Sequence, residues 1–162
     1  MQKHQMNCRS CAGGGALKDQ QTGQIYPCGA CQGSGSVNRP EVGPQDYVFE
    51  YLIPAGQSQM QIPALTILSY DFLLKWMVAY TATPTDQFQI KDNTGYVWSN
   101  APLQIQNGWG TGPLPFPVQP NLLLAKNTTI TITITAAAGH SGELVFKGVS
   151  LADVPAAAPA SS

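Results

Sequence analysis

Four cysteines constrain this chain most strongly, because all of them fall within its first 31 residues. They form two C-x-x-C pairs, Cys8 with Cys11 and Cys28 with Cys31, and sixteen residues separate the pairs. Two thiolates three positions apart on a tight turn point to the same side, and two such pairs supply four ligands to one tetrahedral ion. The spacing therefore predicts a zinc site formed by these four cysteines, with one zinc ion per chain.

Glycines follow both cysteine pairs at matching positions: Gly13 and Gly15 after the first, Gly33 and Gly35 after the second. Glycine permits positive φ angles and allows backbone N–H groups to approach the sulfurs. A complete shell of four thiolates leaves no open position for water or substrate. We therefore expect the zinc to be structural and not catalytic.

Both halves match C-x-x-C-x-G-x-G in full, and residues 6–37 thereby resemble the cysteine-rich region of the DnaJ-type co-chaperones. That family carries four copies of the motif, which make two zinc sites, whereas the two copies here suffice for one. The chain has no His-Pro-Asp tripeptide and no pattern of a J-domain helix pair. The resemblance thus implies a zinc knuckle pair and does not extend to chaperone activity.

Two other uses of the cysteines stay open on the sequence alone. The four thiols could form two disulfides in any of three pairings. The segment MQKHQMNCRS at the N-terminus has no apolar stretch, so we expect no secretory signal and a reducing compartment, which disfavours disulfides. A catalytic C-x-x-C pair would need a thioredoxin-like βαβ pattern, which this sequence does not show.

Composition divides the chain into four parts. Residues 1–38 hold every cysteine and form the predicted zinc module, which is too short to bury a sufficient core without metal. Residues 39–45 contain two prolines and a glycine and are predicted to be an extended linker. Residues 46–152 are strand-like, and residues 153–162 form a low-complexity tail that we expect to be mobile.

The strand-like part predicts a mainly β fold. The cleanest signal is residues 128–135, where Ile130, Ile132 and Ile134 alternate with threonines. Residues 72–80 are apolar on both faces and are predicted to be a buried strand, although a helix also fits nine residues. Residues 107–120 hold four prolines and three glycines and are predicted to be a loop. Seven to eight short strands indicate an antiparallel β-sandwich or a jelly-roll-like body.

Charge is scarce and unevenly placed. Only 10% of the residues are charged, against about 25% in an average protein. Residues 1–40 carry four cations and one acid, residues 41–162 carry four lysines and eight acids, and the net charge is -1. No bulk attraction to nucleic acid or to a membrane surface follows, and no apolar run approaches the roughly 20 residues that span a bilayer. We expect part of the uncharged surface to lie against neighbouring subunits.

Residues 46–152 are similar to minor structural proteins of tailed bacteriophage heads. The similarity is carried by the stretch from the proline-bounded segment 113–117 through residues 121–124, by residues 127–134 and by the final strand 143–151. It implies a β-sandwich that decorates the capsid, commonly as a homotrimer, and that binds the major capsid protein or another virion protein. It also implies location in the virion after synthesis in the host cytoplasm, with zinc making the N-terminal arm rigid.

Little in the sequence indicates an enzyme. The only histidines are His4 and His140, and the acids are scattered singly. His140 lies in a predicted hairpin loop, where its neighbour Ser141 does not form a nucleophile–base pair with it. We therefore predict a non-enzymatic structural protein. The alternatives are an adaptor that binds peptide or nucleic acid through the positively charged module, and a carbohydrate-binding sandwich that uses Trp76, Trp98 and Trp109.

Overall fold

The computed structural model describes residues 3–8, 11–19, 23–28, 31–67 and 69–152. The chain folds mainly as β-strands and divides into two units. Unit 1 comprises Met1–Val42 with Leu151–Ser162, and unit 2 comprises Gly43–Ser150. The predicted linker 39–45 lies within one long strand, and the predicted tail 153–162 lies outside the described residues.

Unit 1 contains three short strands and the beginning of a long one: β1 (Lys3–Asn7), β2 (Ala16–Lys18), β3 (Ile25–Pro27) and β4 (Ser36–Leu52). β1 pairs antiparallel with the first five residues of β4. β2 and β3 form an antiparallel hairpin in which Leu17 lies opposite Tyr26. In the sequence, the alternation of Gln24, Ile25 and Tyr26 predicts half of a short hairpin with its turn at Thr22 and Gly23. The strand at Ile25 is confirmed, and Thr22 lies outside the described residues.

A buried arginine fastens the C-terminal end of the described chain within unit 1. Arg39 donates from Nε to the carbonyl of Ala152 at 2.9 Å and from Nη2 to the carbonyl of Leu151 at 3.0 Å. The amide of Ala152 donates to the carbonyl of Pro40 at 3.1 Å. These bonds give the buried guanidinium the partners that a desolvated cation requires.

Unit 2 contains the rest of β4 and the following elements: β5 (Gln59–Gln61), β6 (Leu65–Thr66), β7 (Asp71–Tyr80), β8 (Gln87–Asp92), β9 (Leu103–Gln104), α1 (Ile105–Gly108), β10 (Gly110–Thr111), β11 (Phe116–Leu124), β12 (Thr129–Thr135) and β13 (Ser141–Leu151). Within the described residues the longest helix has four residues, so none of them forms a helix that could cross a membrane.

The strands of unit 2 form two sheets. In the first, β4, β13 and β7 are neighbours in that order, and β10 and β11 both pair with β7. In the second, the order is β5, β12, β8 and β9, and β6 also pairs with β12. The pairings of β12 and of β11 are antiparallel, whereas the two-residue β10 runs parallel to β7.

Side chains from both sheets meet in one core, which makes unit 2 the predicted β-sandwich. The alternation of β12 buries Ile130, Ile132 and Ile134 completely, and the threonines between them stay partly exposed. Phe72 and Phe146 of the first sheet are also completely buried in this core. The period of two in the sequence thus determined which face of β12 packs inward.

The apolar segment 72–80 is a strand, as predicted, and lies inside β7. It has β13 on one side and β10 and β11 on the other, so its backbone is paired along both edges. Leu73, Leu74 and Val78 are all buried. Residues 72–80 show no alternation of polar and apolar side chains because this strand has neighbouring strands on both sides and is covered on both faces.

The prediction of a loop over residues 107–120 is wrong. The structure has α1 ending at Gly108, then β10, and then β11, which contains Pro117 and Pro120. Among the described strands β11 pairs with β7 alone, and this pairing is irregular between Pro117 and Leu122. Proline lacks an N–H donor but is tolerated on an edge strand whose second side needs no partner.

Candidate metal centre

The four cysteine sulfur atoms of unit 1 lie close together in one cluster. The sulfurs of Cys8 and Cys28 are 3.7 Å apart, and those of Cys11 and Cys31 are also 3.7 Å apart. All four ligand atoms lie within 4.8 Å of one another. A tetrahedron with Zn–S bonds of about 2.3 Å has sulfur–sulfur edges of about 3.8 Å. The arrangement therefore fits one four-coordinate metal ion.

The cysteine side chains are the core of unit 1. Cys8, Cys28 and Cys31 are buried, Cys11 is half-buried, and no disulfide joins any two of the four. Val37 is the one other apolar side chain packed against this cluster within the described residues. A core this small buries too little apolar surface to fold unaided, so a bound metal would supply a large part of the stability of unit 1.

A reciprocal pair of backbone hydrogen bonds joins the two cysteine motifs. The amide of Cys8 donates to the carbonyl of Gly35 at 2.8 Å, and the amide of Cys28 donates to the carbonyl of Gly15 at 2.7 Å. The first cysteine of each motif thus donates a hydrogen bond to the last glycine of the other motif. The repeated sequence folds into two equivalent turns that face one another.

The last glycine of each motif is required by this close approach. Gly15 and Gly35 both have φ of +73°, and a Cβ added at either would overlap a carbonyl oxygen of the opposite motif, that of Gly33 and that of Gly13 respectively. The sequence predicted positive φ angles at these positions but contained no sign of the contact between the two motifs. Any larger residue would separate the two cysteine pairs.

A backbone amide also reaches a sulfur, as predicted from the glycine positions. Gly15 donates its N–H to Sγ of Cys11 at 3.2 Å. Such a bond stabilises a thiolate because it places a positive dipole end against the negative charge.

Burial, and after it the neighbouring thiol of Cys31, raises the pKa of Cys11 to about 11. The metal-free site therefore holds a thiol at this position near neutral pH. Because a metal binds the thiolate, binding releases the proton to solvent. Zn²⁺ or another thiophilic ion supplies the positive charge that makes four clustered thiolates stable.

The hairpin between the two motifs exposes apolar side chains. Leu17 is 43% exposed, Ile25 is 71% exposed and Tyr26 is 47% exposed. The hydroxyl of Tyr26 donates to Oε1 of Gln24 at 2.6 Å. These side chains contribute nothing to the cysteine core, so they are available to contact another molecule.

Unit 2 brings together three polar residues that sequence reasoning did not connect. Nδ1 of His140 lies 2.7 Å from Oδ1 of Asp86, and the hydroxyl of Tyr51 donates to Oδ2 of Asp86 at 2.9 Å. Asp86 is buried and His140 is partly exposed. No local pattern could have revealed this cluster, since its members come from three segments that are far apart in the sequence. The cluster fastens the turn before β13 against the end of β4, where the amide of Ile53 donates to the carbonyl of His140 at 2.8 Å.

The three tryptophans do not share one exposed face. Trp109 is buried, and both Trp109 and Trp98 stack on Phe146 with ring centroids 5.4 and 5.6 Å away. Trp76 is 43% exposed on β7. The three rings therefore do not form one shared aromatic platform, because Trp98 and Trp109 pack against the core of unit 2.

No family model, curated protein or solved structure matches this chain. The geometry of its own residues is consequently what supports a function.

Proposed function

We propose that this chain is a non-enzymatic structural protein in which a zinc ion holds unit 1 folded and the β-sandwich of unit 2 contacts neighbouring proteins. The observation that carries the proposal is the set of four sulfurs within 4.8 Å of one another, with two separations of 3.7 Å. Four thiolates complete the tetrahedral shell of zinc and leave no position for substrate. The ion then acts on folding and not on chemistry.

The proposed setting is the head of a tailed bacteriophage, where the chain decorates and stabilises the shell of the major capsid protein. This setting rests on the sequence resemblance of residues 46–152. A surface with few charges supports it, because a shell-bound protein covers much of its surface with neighbours, and the exposed apolar hairpin around Ile25 supports a docking role for unit 1. A homotrimer is the proposed assembly.

Native mass spectrometry of the full chain tests the metal and the assembly together. We expect a trimer that carries one zinc ion per chain. A metal-free chain whose mass has fallen by the thiol hydrogens would show disulfides and overturn the zinc proposal. A monomer with one zinc would overturn the trimer and leave the metal centre standing.

The virion setting has a separate test. Mass spectrometry of purified particles, made by the genome that encodes this chain, should detect the chain at a fixed ratio to the major capsid protein. Its absence from the purified particles would overturn the proposed location. In that case the leading candidate function becomes that of an adaptor, which binds peptide or nucleic acid through the positively charged N-terminal module.

A further inference from the structure

Strand β4 has an open edge in unit 2. β1 pairs with β4 only between Ser36 and Pro40, so it does not cover the later residues of the strand. In unit 2 the one described neighbour of β4 is β13. Residues 46–52 therefore present one side of their backbone without a partner strand. An open edge of this kind is a template for an additional strand.

Hydrogen bonds at the end of β4 identify which backbone groups face outward. The amide of Ile53 donates to the carbonyl of His140 at 2.8 Å, and the amide of Gly139 donates to the carbonyl of Ile53 at 2.9 Å. Ile53 thus directs both of its backbone groups toward the β13 side. Because these directions alternate along a strand, Val48, Glu50 and Leu52 direct theirs to the open side. In the described part of the chain no backbone group pairs with these three residues on that side.

A groove of about 710 Å³ runs beside this edge. One wall is β4 from Tyr47 to Glu50, and the other is the segment from Ile62 to Thr66, which ends in β6 of the second sheet. Phe49 and Ile62 are both core residues, so the groove reaches apolar side chains.

Exposed side chains on the same strand add a second binding determinant. Val48 is 45% exposed and Leu52 is 61% exposed, and Glu50 lies between them on the same face. Among the described residues Glu50 forms no ion pair, whereas the nearby Asp46 is paired with Lys147 at 2.7 Å. The edge therefore offers apolar contacts together with one uncompensated negative charge.

These charges disfavour a second copy of the same edge as the occupant. An antiparallel pairing of two β4 edges centred on Val48 would place Glu50 opposite Asp46, and one centred on Glu50 would place that residue opposite its own copy. A pairing centred on Phe49 would place Glu50 opposite Val48 and gain no ion pair. Acids on an edge strand act against self-association. A strand that carries lysine or arginine opposite Glu50 gains an ion pair instead.

We propose that unit 2 binds an extended, lysine- or arginine-containing apolar segment of another protein, which adds to β4 as a strand through Val48, Glu50 and Leu52. Backbone hydrogen bonds supply most of the affinity, and the contacts of alternate side chains supply the selectivity. The groove beside Phe49 takes the side chains of the segment that point inward. This site is independent of the cysteine centre.

Two synthetic six-residue peptides test the proposal on the full chain. Both alternate valine and threonine, and they differ only in a central lysine or glutamate. Fluorescence anisotropy should show saturable binding of the lysine peptide, with a dissociation constant below about 1 mM, and at least tenfold weaker binding of the glutamate peptide. No saturable binding of the lysine peptide would overturn the proposal.

Variants of β4 separate strand addition from a non-specific attraction. Val48→Pro removes an outward N–H and should abolish binding, whereas Val48→Thr keeps that N–H and should retain it. Glu50→Lys should reverse the preference so that the glutamate peptide binds more tightly. If Val48→Pro does not fold, the Glu50→Lys variant still tests the proposal. If that variant continued to prefer the lysine peptide, the peptide would bind away from Glu50 and the proposal would be wrong.

Hydrogen exchange of the free chain checks the edge itself. The amides of Val48, Glu50 and Leu52 should exchange quickly, and those of Phe49 and Tyr51 should exchange slowly. Adding the lysine peptide should slow the first three at least tenfold. Uniform protection along β4 in the free chain would mean that the edge is already covered, and the proposal would be wrong.

Discussion

Nδ1 of His140 lies 2.7 Å from Oδ1 of Asp86, although 54 positions separate the two residues in the chain. Asp86 is almost completely buried, and the imidazole covers one of its oxygens while the hydroxyl of Tyr51 covers the other. A buried carboxylate is tolerated only when its oxygens have partners. The contact therefore connects the turn before β13 to the start of β8 and the end of β4.

Replacing His140 by alanine should destabilise unit 2 by about 1 to 3 kcal/mol, because one oxygen of a buried carboxylate loses its partner. Urea unfolding followed by tryptophan fluorescence measures the change. Ser141→Ala is the matched control, since Ser141 is an exposed neighbour in the same hairpin and should change stability by less than about 0.5 kcal/mol. Equal effects of the two variants would show that the contact with Asp86 stabilises nothing.

Tyr51 should make unit 2 sensitive to alkali. Burial, and after it the hydrogen bond with Asp86, raises the pKa of Tyr51 above its ordinary value of 10.0. Above about pH 10 the unfolded chain loses this proton while the folded chain keeps it, so stability is complete below that pH and falls as the pH rises. The fall contributed by one such group is up to about 1.4 kcal/mol per pH unit.

Comparison with Tyr51→Phe isolates this contribution. The variant loses the hydrogen bond to Asp86, but its unfolding free energy should fall less steeply between about pH 10 and pH 11 than that of the wild type. Urea titrations at several pH values give both slopes. Parallel slopes would mean that Tyr51 ionises as readily in the folded chain as in the unfolded one.

Replacing Cys28 by serine should abolish zinc binding and leave unit 2 folded. Cys28 is completely buried, and serine supplies a poorer ligand than thiolate for zinc. Elemental analysis should find zinc falling from one ion per chain to none. The methyl NMR signals of Ile130, Ile132 and Ile134 should stay dispersed, since these residues lie in the core of unit 2.

Ala16→Ser is the matched control for this substitution, because it adds a hydroxyl to an exposed position of the same unit. It should leave zinc content unchanged. Collapse of the isoleucine signals in the cysteine variant would contradict the independence of unit 2 from the metal.

Replacing Gly35 by alanine should weaken zinc binding far more than replacing Gly23. Both residues have positive φ, +73° and +72°, so both substitutions carry a backbone cost of about 1 kcal/mol. Only at Gly35 would the new methyl group overlap a carbonyl oxygen, that of Gly13, whereas nothing lies within 4 Å of the position at Gly23. The difference between the variants thus measures the close approach of the two motifs.

Competition with a chromogenic zinc chelator gives the affinity of each variant. We expect Gly23→Ala to bind zinc within about tenfold of the wild type, which corresponds to about 1.4 kcal/mol. Gly35→Ala should lose considerably more. Similar losses in both variants would show that the two motifs do not need to approach closely.

The sequence alone determined the local features of this protein. Two C-x-x-C-x-G-x-G motifs predicted a clustered set of four sulfurs, and the alternation in residues 128–135 predicted which side of a strand is buried. The structure brings those sulfurs together and buries Ile130, Ile132 and Ile134. Such features are readable because spacing along the chain directly sets the direction of neighbouring side chains.

Only the tertiary structure decided the relationships between distant segments. Prolines argued against a strand in residues 107–120, yet β11 forms there because it lies at an edge, where a missing N–H costs no ladder bond. The contact of His140 with Asp86 and the open side of β4 depend in the same way on which strands become neighbours. Strand order is set by how apolar faces pack together over the whole chain, and no short stretch of sequence contains that information.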